Sequence, residues 1–264
     1  MRFCPQCGEE RRRAGDLSMR DLIAQFVKST SSVDGKLVRS WRSLLAWPGH
    51  LTAAHISGER RRYITPLALF FIGNAVFVGV QSLTGTNILS SPLASHLQSQ
   101  DWSALAQNLV LERLQARGLA LEAYAPIFDR SAIFNAKALI ILMGLFFAPL
   151  PAVLFRDRHR PAGAHMIFAL HLYAFVLIVL SGSVLLAQFD LVLGGGGLGS
   201  NLVDKALSIF NLIVCGGYIY LAIPRVYSTY GWPRIGSAVL LTLALALLFM
   251  GYRFAIFIIT FYTT

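Results

Sequence analysis

Met166-Ile167-Phe168-Ala169-Leu170-His171-Leu172-Tyr173-Ala174-Phe175-Val176-Leu177-Ile178-Val179-Leu180 opens a run that continues to Gln188 without one charged side chain. A helix needs roughly 20 mainly apolar residues to cross about 30 Å of hydrocarbon, so 166–188 reads as a membrane span. Four further stretches meet the same test, at 66–83, 133–155, 202–223 and 235–260. The run at 202–223 is the most diluted, with Asp204 and Lys205 at its start and Asn211, Cys215, Gly216 and Gly217 within it. Small residues let helices approach closely in a bilayer, and Asn211 can hydrogen-bond across an interface. The expectation is an all-α integral membrane bundle of about five transmembrane helices. A homo-oligomer is compatible with it.

Composition agrees. Of 264 residues, 55% are hydrophobic and 14% charged, and the mean hydropathy is +0.59, which excludes an ordinary water-soluble domain of this size. The formal charge of +10 does not point to nucleic acid, because the basic residues cluster beside the spans, where anionic lipid headgroups attract them. Twelve of the 23 Lys and Arg precede residue 66. Across all connecting segments the two sides divide seventeen against four, with Lys137 and Arg253 inside spans. The positive-inside bias predicts a cytoplasmic N-terminus and an outside C-terminus. No apolar run follows the first charges, which predicts that the N-terminus is retained.

Residues 1–65 form a basic cytoplasmic segment and 66–264 the bundle. Within the first, Ser18 and Asp21 match a capping box with Leu17 and Leu22 as its hydrophobic staple, predicting a short helix to about Val27. A second helix, 36–47, places Leu37, Val38, Trp41, Leu44 and Leu45 on one face and ends at Pro48-Gly49. It lies on the inner leaflet or packs on the protein's own cytoplasmic side. Between the first two spans, an extracytoplasmic loop at 85–132 contains a helix capped by Asp101, with Trp102, Leu105, Leu109, Val110 and Leu114 recurring at helical spacing up to Gly118. The glycines at 194–197 predict a flexible link.

Candidate chemistry is sparse. Cys4-Pro5-Gln6-Cys7-Gly8 has the form of one zinc knuckle, half of a four-ligand site; His50 and His55 are candidates for the missing pair. A redox role would need the motif to open a helix after a strand, and no strand precedes Cys4. Arg60, Arg61 and Arg62 stand just before the first span, where Thr65 can cap the helix and Pro66 suits its first position. These arginines anchor the chain to lipid phosphates or bind a specific lipid or partner. Intramembrane polar groups are the default place to look for function; here they are Asn74, Gln81, His165, His171, Asn211 and Arg253. His165 and His171 are about 120° apart around a helix and are not expected to share a metal. Arg253 is expected to snorkel outward or to pair with Asp190 or Asp204. No acidic residue lies in a span core and no Ser/His/Asp or Cys/His set is present, so an enzyme has no positive support.

Taken in order, Cys4 to Gly8, Trp47-Pro48-Gly49, the element from Gly58 to Pro66, the run from His165 to His171, Tyr218-Ile219-Tyr220-Leu221-Ala222 and Arg225-Val226-Tyr227 resemble a bacterial family of multi-pass membrane proteins known as domain of unknown function 3667. The resemblance implies a bacterial cytoplasmic membrane and an N-terminal zinc ribbon built from two C-x-x-C pairs, of which this chain shows what resembles the second. The first pair then lies upstream, zinc is shared with another chain, or the knuckle is vestigial. Ala164 stands where the family carries an acidic residue, which weakens a metal or proton role for His165. Two functional expectations follow: a membrane-anchored binding or regulatory module that recruits a cytoplasmic partner or anionic lipid, or a small-solute or ion transporter, which requires Asn74, Gln81, Asn211 and Arg253 to share one cavity.

Overall fold

The first long helix shows how closely local chemistry sets the boundaries. Thr65, in extended backbone, accepts a hydrogen bond from Ala68 N at 3.3 Å, Pro66 occupies the first turn, and Gly85 ends the helix with φ +68°. This is the Ser/Thr cap, N1 proline and left-handed C-terminal glycine of a well-delimited helix. The computed structural model describes residues 34–158 and 160–264; the Cys4 knuckle and the helix expected at 18–27 lie outside them. The described helices are α1 (Asp34–Ala46), α2 (His50–Ser57), α3 (Pro66–Thr84), α4 (Leu93–Gln98), α5 (Ser103–Arg117), α6 (Leu121–Phe147), α7 (Pro149–Leu154), α8 (Ala162–Val192), α9 (Asn201–Tyr227) and α10 (Gly231–Thr263).

Four of these, α3, α8, α9 and α10, are long and apolar enough to cross a membrane. The bent pair Leu121–Ile140 and Leu142–Leu154, whose halves meet at 53°, brings the number to five where it is counted as one broken span. The architecture is that of a multi-pass membrane protein. The span expected at 133–155 is corrected in shape and in start: its helix begins twelve residues earlier, at Leu121, so the preceding connection is shorter than expected. Alternation of Asp129, Arg130 and Lys137 with apolar residues hid the first half from a hydropathy reading.

α8 is the central helix. In its most apolar window 67% of residues are buried, against 28–33% in α3, α9 and α10, as expected of a helix that is apolar on every side. α3 lies along it, and a Cβ on Gly73 would stand 3.4 Å from Ala174 Cα. α9 and α10 approach at Gly216, where a Cβ would come within 3.2 Å of Thr242 Oγ1; the expected role of Gly216 in close packing is met there. Gly217 faces open space.

α4 and α5 cover the end of the bundle opposite α1 and α2. Leu93 N donates to Asp129 Oδ1 at 2.7 Å, which ties α4 to α6. Arg113 lies 3.8 Å over the Phe261 ring and donates to the Phe261 carbonyl, while Tyr124 Oη and Thr264 Oγ1 are 2.8 Å apart. The α5 helix expected after Asp101 is present and ends at Gly118 with φ +62°, but Trp102 holds the capping position and makes no side-chain cap. Ala106 and Val110 form its buried stripe, and Leu105 is exposed.

At the other end, α1 and α2 form a hairpin packed onto the bundle. The apolar face expected of α1 is rotated: Ser40, Ser43 and Leu44 are buried, whereas Val38 and Leu45 are exposed. Ser40 explains the rotation. Its Oγ donates to Lys36 O at 2.8 Å and accepts from Ile64 N at 3.0 Å, stitching α1 to the segment before α3. Gly49 begins α2 with φ +79°, and a Cβ there would lie 2.8 Å from the backbone of Ala222 in α9. Only glycine meets both demands.

Candidate functional site

α2 brings the first polar cluster into the bundle. Its residues Leu51, Thr52, Ala54 and His55 are buried, so α2 is an inward-packed element and not a surface helix. Thr52 Oγ1 and His171 Nδ1 are 2.9 Å apart, and the His55 and His171 rings meet edge-on with centroids 5.2 Å apart. His55 Nδ1 lies 2.9 Å from Leu51 O and its Nε2 3.2 Å from Ile64 O. Both partners are carbonyls, which only accept, so both bonds at once need a doubly protonated ring; a neutral ring satisfies one. His171 is fully enclosed, and its Nε2 has no partner among the described residues.

The sequence candidates separate in space. His50 is exposed and lies edge-on to Tyr63, while both nitrogens of His55 face carbonyls. Among the described residues no group of three or more His, Cys, Asp and Glu is placed to hold a metal; Cys4 and Cys7 lie outside those residues. His165 is in a different setting from His171, stacked on Tyr227 with its Nδ1 3.2 Å from Tyr227 Oη. Phe155 also stacks on Tyr227, with ring centroids 4.0 Å apart.

A basic surface borders this hairpin. Arg39 Nη1 donates to Arg62 O at 3.4 Å, joining α1 to the turn that carries Arg60, Arg61 and Arg62. Arg61 and Arg62 are exposed. Arg42 lies 5.4 Å over the Trp47 ring, Arg225 donates to Pro48 O at 2.5 Å, and Arg234 lies 3.6 Å over the Tyr220 ring.

The polar residues of the spans do not all converge. Asn74 donates to Phe70 O at 3.2 Å, and among the described residues its Oδ1 is buried without a partner; Gln81 Nε2 is likewise unpartnered there. Neither lines the cavities that Asn211 and Arg253 share. Two adjoining cavities of about 460 Å³ each lie between α8, α9 and α10 toward the α4/α5 end, with Leu180, Ser208, Asn211, Phe249 and Arg253 common to both. One reaches inward to Val176, Cys215 and Leu245 and outward to Trp102; the other extends along 86–92 to Asp204.

Arg253 is oriented toward the covering segment. Its Nη2 donates to Ser91 Oγ at 3.0 Å, its Nε is buried without a partner, and no carboxylate comes within ion-pair range among the described residues. Asp190, one of the two expected partners, instead accepts from Gly197 N at 2.9 Å and shapes the glycine turn. Ser183 Oγ donates to Asn211 Oδ1 at 2.6 Å, which leaves the Asn211 amide nitrogen for the cavity. Nearby, His96 is 1% exposed and accepts from Trp102 Nε1 at 3.1 Å on its Nδ1. Burial, aided by the Arg253 guanidinium, lowers the His96 pKa from 6.5 to about 4.

Sequence reading missed Thr52, Ser91, Ser183, Ser208 and Tyr227 as partners. A single hydroxyl carries no pattern of its own in the sequence, and each acquires a role only from what the fold places opposite it.

Residues 34–78 match the model of a family described as Protein of unknown function (DUF3667). The matched segment comprises α1, α2 and most of α3, and includes Thr52, His55 and the turn at Arg60 to Arg62. No curated protein and no solved structure matches the chain.

Proposed function

We propose that the protein is a membrane-anchored binding module whose basic hairpin surface engages the phosphates of anionic lipid at the cytoplasmic leaflet of a bacterial inner membrane, with the C-terminus outside. The observation that carries this is the exposed face of α1. Val38, Arg42 and Leu45 stand at i, i+4 and i+7, so they share that face, and Val38 and Leu45 are 69% and 46% exposed. Two aliphatic side chains flanking an arginine suit the boundary between acyl chains and headgroups, and each nearby basic residue adds about 1 kcal/mol of attraction to an anionic surface. Arg62, tied to Arg39, extends the same positive surface.

Native mass spectrometry after reconstitution with equal phosphatidylglycerol and phosphatidylcholine tests the reading. The wild-type chain retains phosphatidylglycerol preferentially, and an Arg39→Gln/Arg42→Gln/Arg62→Gln variant loses the preference while keeping its thermal stability. Equal retention of the two lipids by the wild type sinks the proposal. A regulatory role for a cytoplasmic protein partner on this surface, and zinc held through Cys4 and Cys7, belong to the same reading. Metal analysis beside Cys4→Ser examines the latter: no zinc in either protein retires it.

A further inference from the structure

The cavity at Arg253 is unrelated to the basic hairpin, lies toward the opposite end of the bundle, and combines features that a packing void lacks. A guanidinium has been carried into a span, where burying a charge is costly and is tolerated when a partner or an aqueous cavity is at hand. Its Nε has neither an acceptor among the described residues nor exposure. Asn211 is turned by Ser183 so that its oxygen is occupied and its amide donors are not. Ser208 completes the polar wall. Beyond these three, the cavity runs inward between apolar side chains, Val176, Leu245 and Phe249 among them.

We infer that this cavity binds a single-chain anionic amphiphile, a carboxylate bearing an apolar tail. The head accepts hydrogen bonds from Arg253, Asn211 and Ser208, and the tail follows the apolar wall toward Leu245. Asp101 and Asp204 also border the cavities, and Asp204 interacts electrostatically with Arg253 beyond ion-pair range. Both carboxylates are exposed to solvent, so each is screened more than the half-buried guanidinium, which acts across a lower dielectric. The volume falls within the usual range for a small-molecule site, roughly 300–1,000 Å³, and is too small for both chains of a bilayer phospholipid together with a headgroup.

Native mass spectrometry of the full chain in non-ionic detergent, titrated with decanoate, decanol, acetate and short-chain phosphatidylglycerol, tests the inference. Decanoate is retained; decanol, which lacks the charge, is retained about tenfold less, the factor that one charge-assisted hydrogen-bonded contact supplies, and acetate, which lacks the tail, is retained at least about tenfold less because it buries no apolar surface. Arg253→Gln loses decanoate by a similar factor and Arg253→Lys recovers part of it. Ala246→Phe, which fills the cavity from an exposed position and leaves Arg253 in place, also weakens decanoate and gives a second route should Arg253→Gln not fold. Decanol binding as well as decanoate, acetate binding as well as decanoate, or phosphatidylglycerol displacing decanoate at equal concentration would each overturn it.

Discussion

Thr52 Oγ1 and His171 Nδ1 lie 2.9 Å apart although 119 residues separate them, and this contact joins the α1/α2 hairpin to the central helix of the bundle. With both groups enclosed, removing one partner leaves the other unsatisfied in a low-dielectric setting. Thr52→Val, which preserves shape, is expected to cost about 1–3 kcal/mol, read as a lower midpoint in thermal unfolding in detergent. His171→Leu in the Thr52→Val background restores part of the loss, because neither polar group then remains; an additive double variant contradicts the direct contact.

Gly49→Ala meets two obstacles, a positive φ and the Ala222 backbone 2.8 Å from the new Cβ. The expected destabilisation is about 2–4 kcal/mol. Gly58→Ala is the control: its φ is +98° but nothing stands within 4 Å, so it carries only the conformational part. A thermal midpoint lowered equally by both would show that the approach of α2 to α9 is not the limiting contact.

His96 makes stability depend on pH. Its folded pKa of about 4 lies below the ordinary 6.5, so between these values the unfolded chain binds more protons than the folded one. Stability is therefore complete above about pH 6.5 and falls as pH drops toward 4, below which this residue contributes no further change. The total loss is about 3 kcal/mol, set by the lowering of the folded pKa that burial causes. Thermal melts from pH 7.5 to 4 should show this decline, and His96→Leu should flatten it; an unchanged slope in the variant assigns the acid sensitivity elsewhere.

Orientation can be read by cysteine labelling in a background in which Cys4, Cys7 and Cys215 are replaced by Ser. Ser57 and Ser99 are exposed at opposite ends of the bundle. With an inside N-terminus, Ser99→Cys reacts with a membrane-impermeant maleimide on intact cells, and Ser57→Cys reacts only after permeabilisation. The reverse pattern would invert the topology and remove the basis for a cytoplasmic lipid surface.

Much of this architecture was legible residue by residue. Thr65, Pro66 and Gly85 delimit α3 by local chemistry alone, since a capping hydroxyl, an N1 proline and a left-handed glycine act within a few residues of the chain. The apolar runs of α8, α9 and α10 declared themselves because hydropathy is a sum over neighbours. The bend between Ile140 and Leu142 was less legible, for the charged first half of α6 hides among apolar positions that pack against other helices.

The candidate sites divide in the same way. Sequence alone marked His171, Asn211 and Arg253 as polar groups out of place in hydrocarbon, and marked the arginine cluster before the first span. Tertiary structure decided what each one meets: Arg253 reaches Ser91 rather than Asp190, Asn211 joins it on one cavity wall while Asn74 and Gln81 do not, and His171 receives Thr52 from a helix that folds back into the bundle. The physical reason is range. Helix formation, capping and membrane partition are determined by residues near one another in the chain, whereas the partner of a buried polar group is whichever distant side chain packing brings within 3 Å.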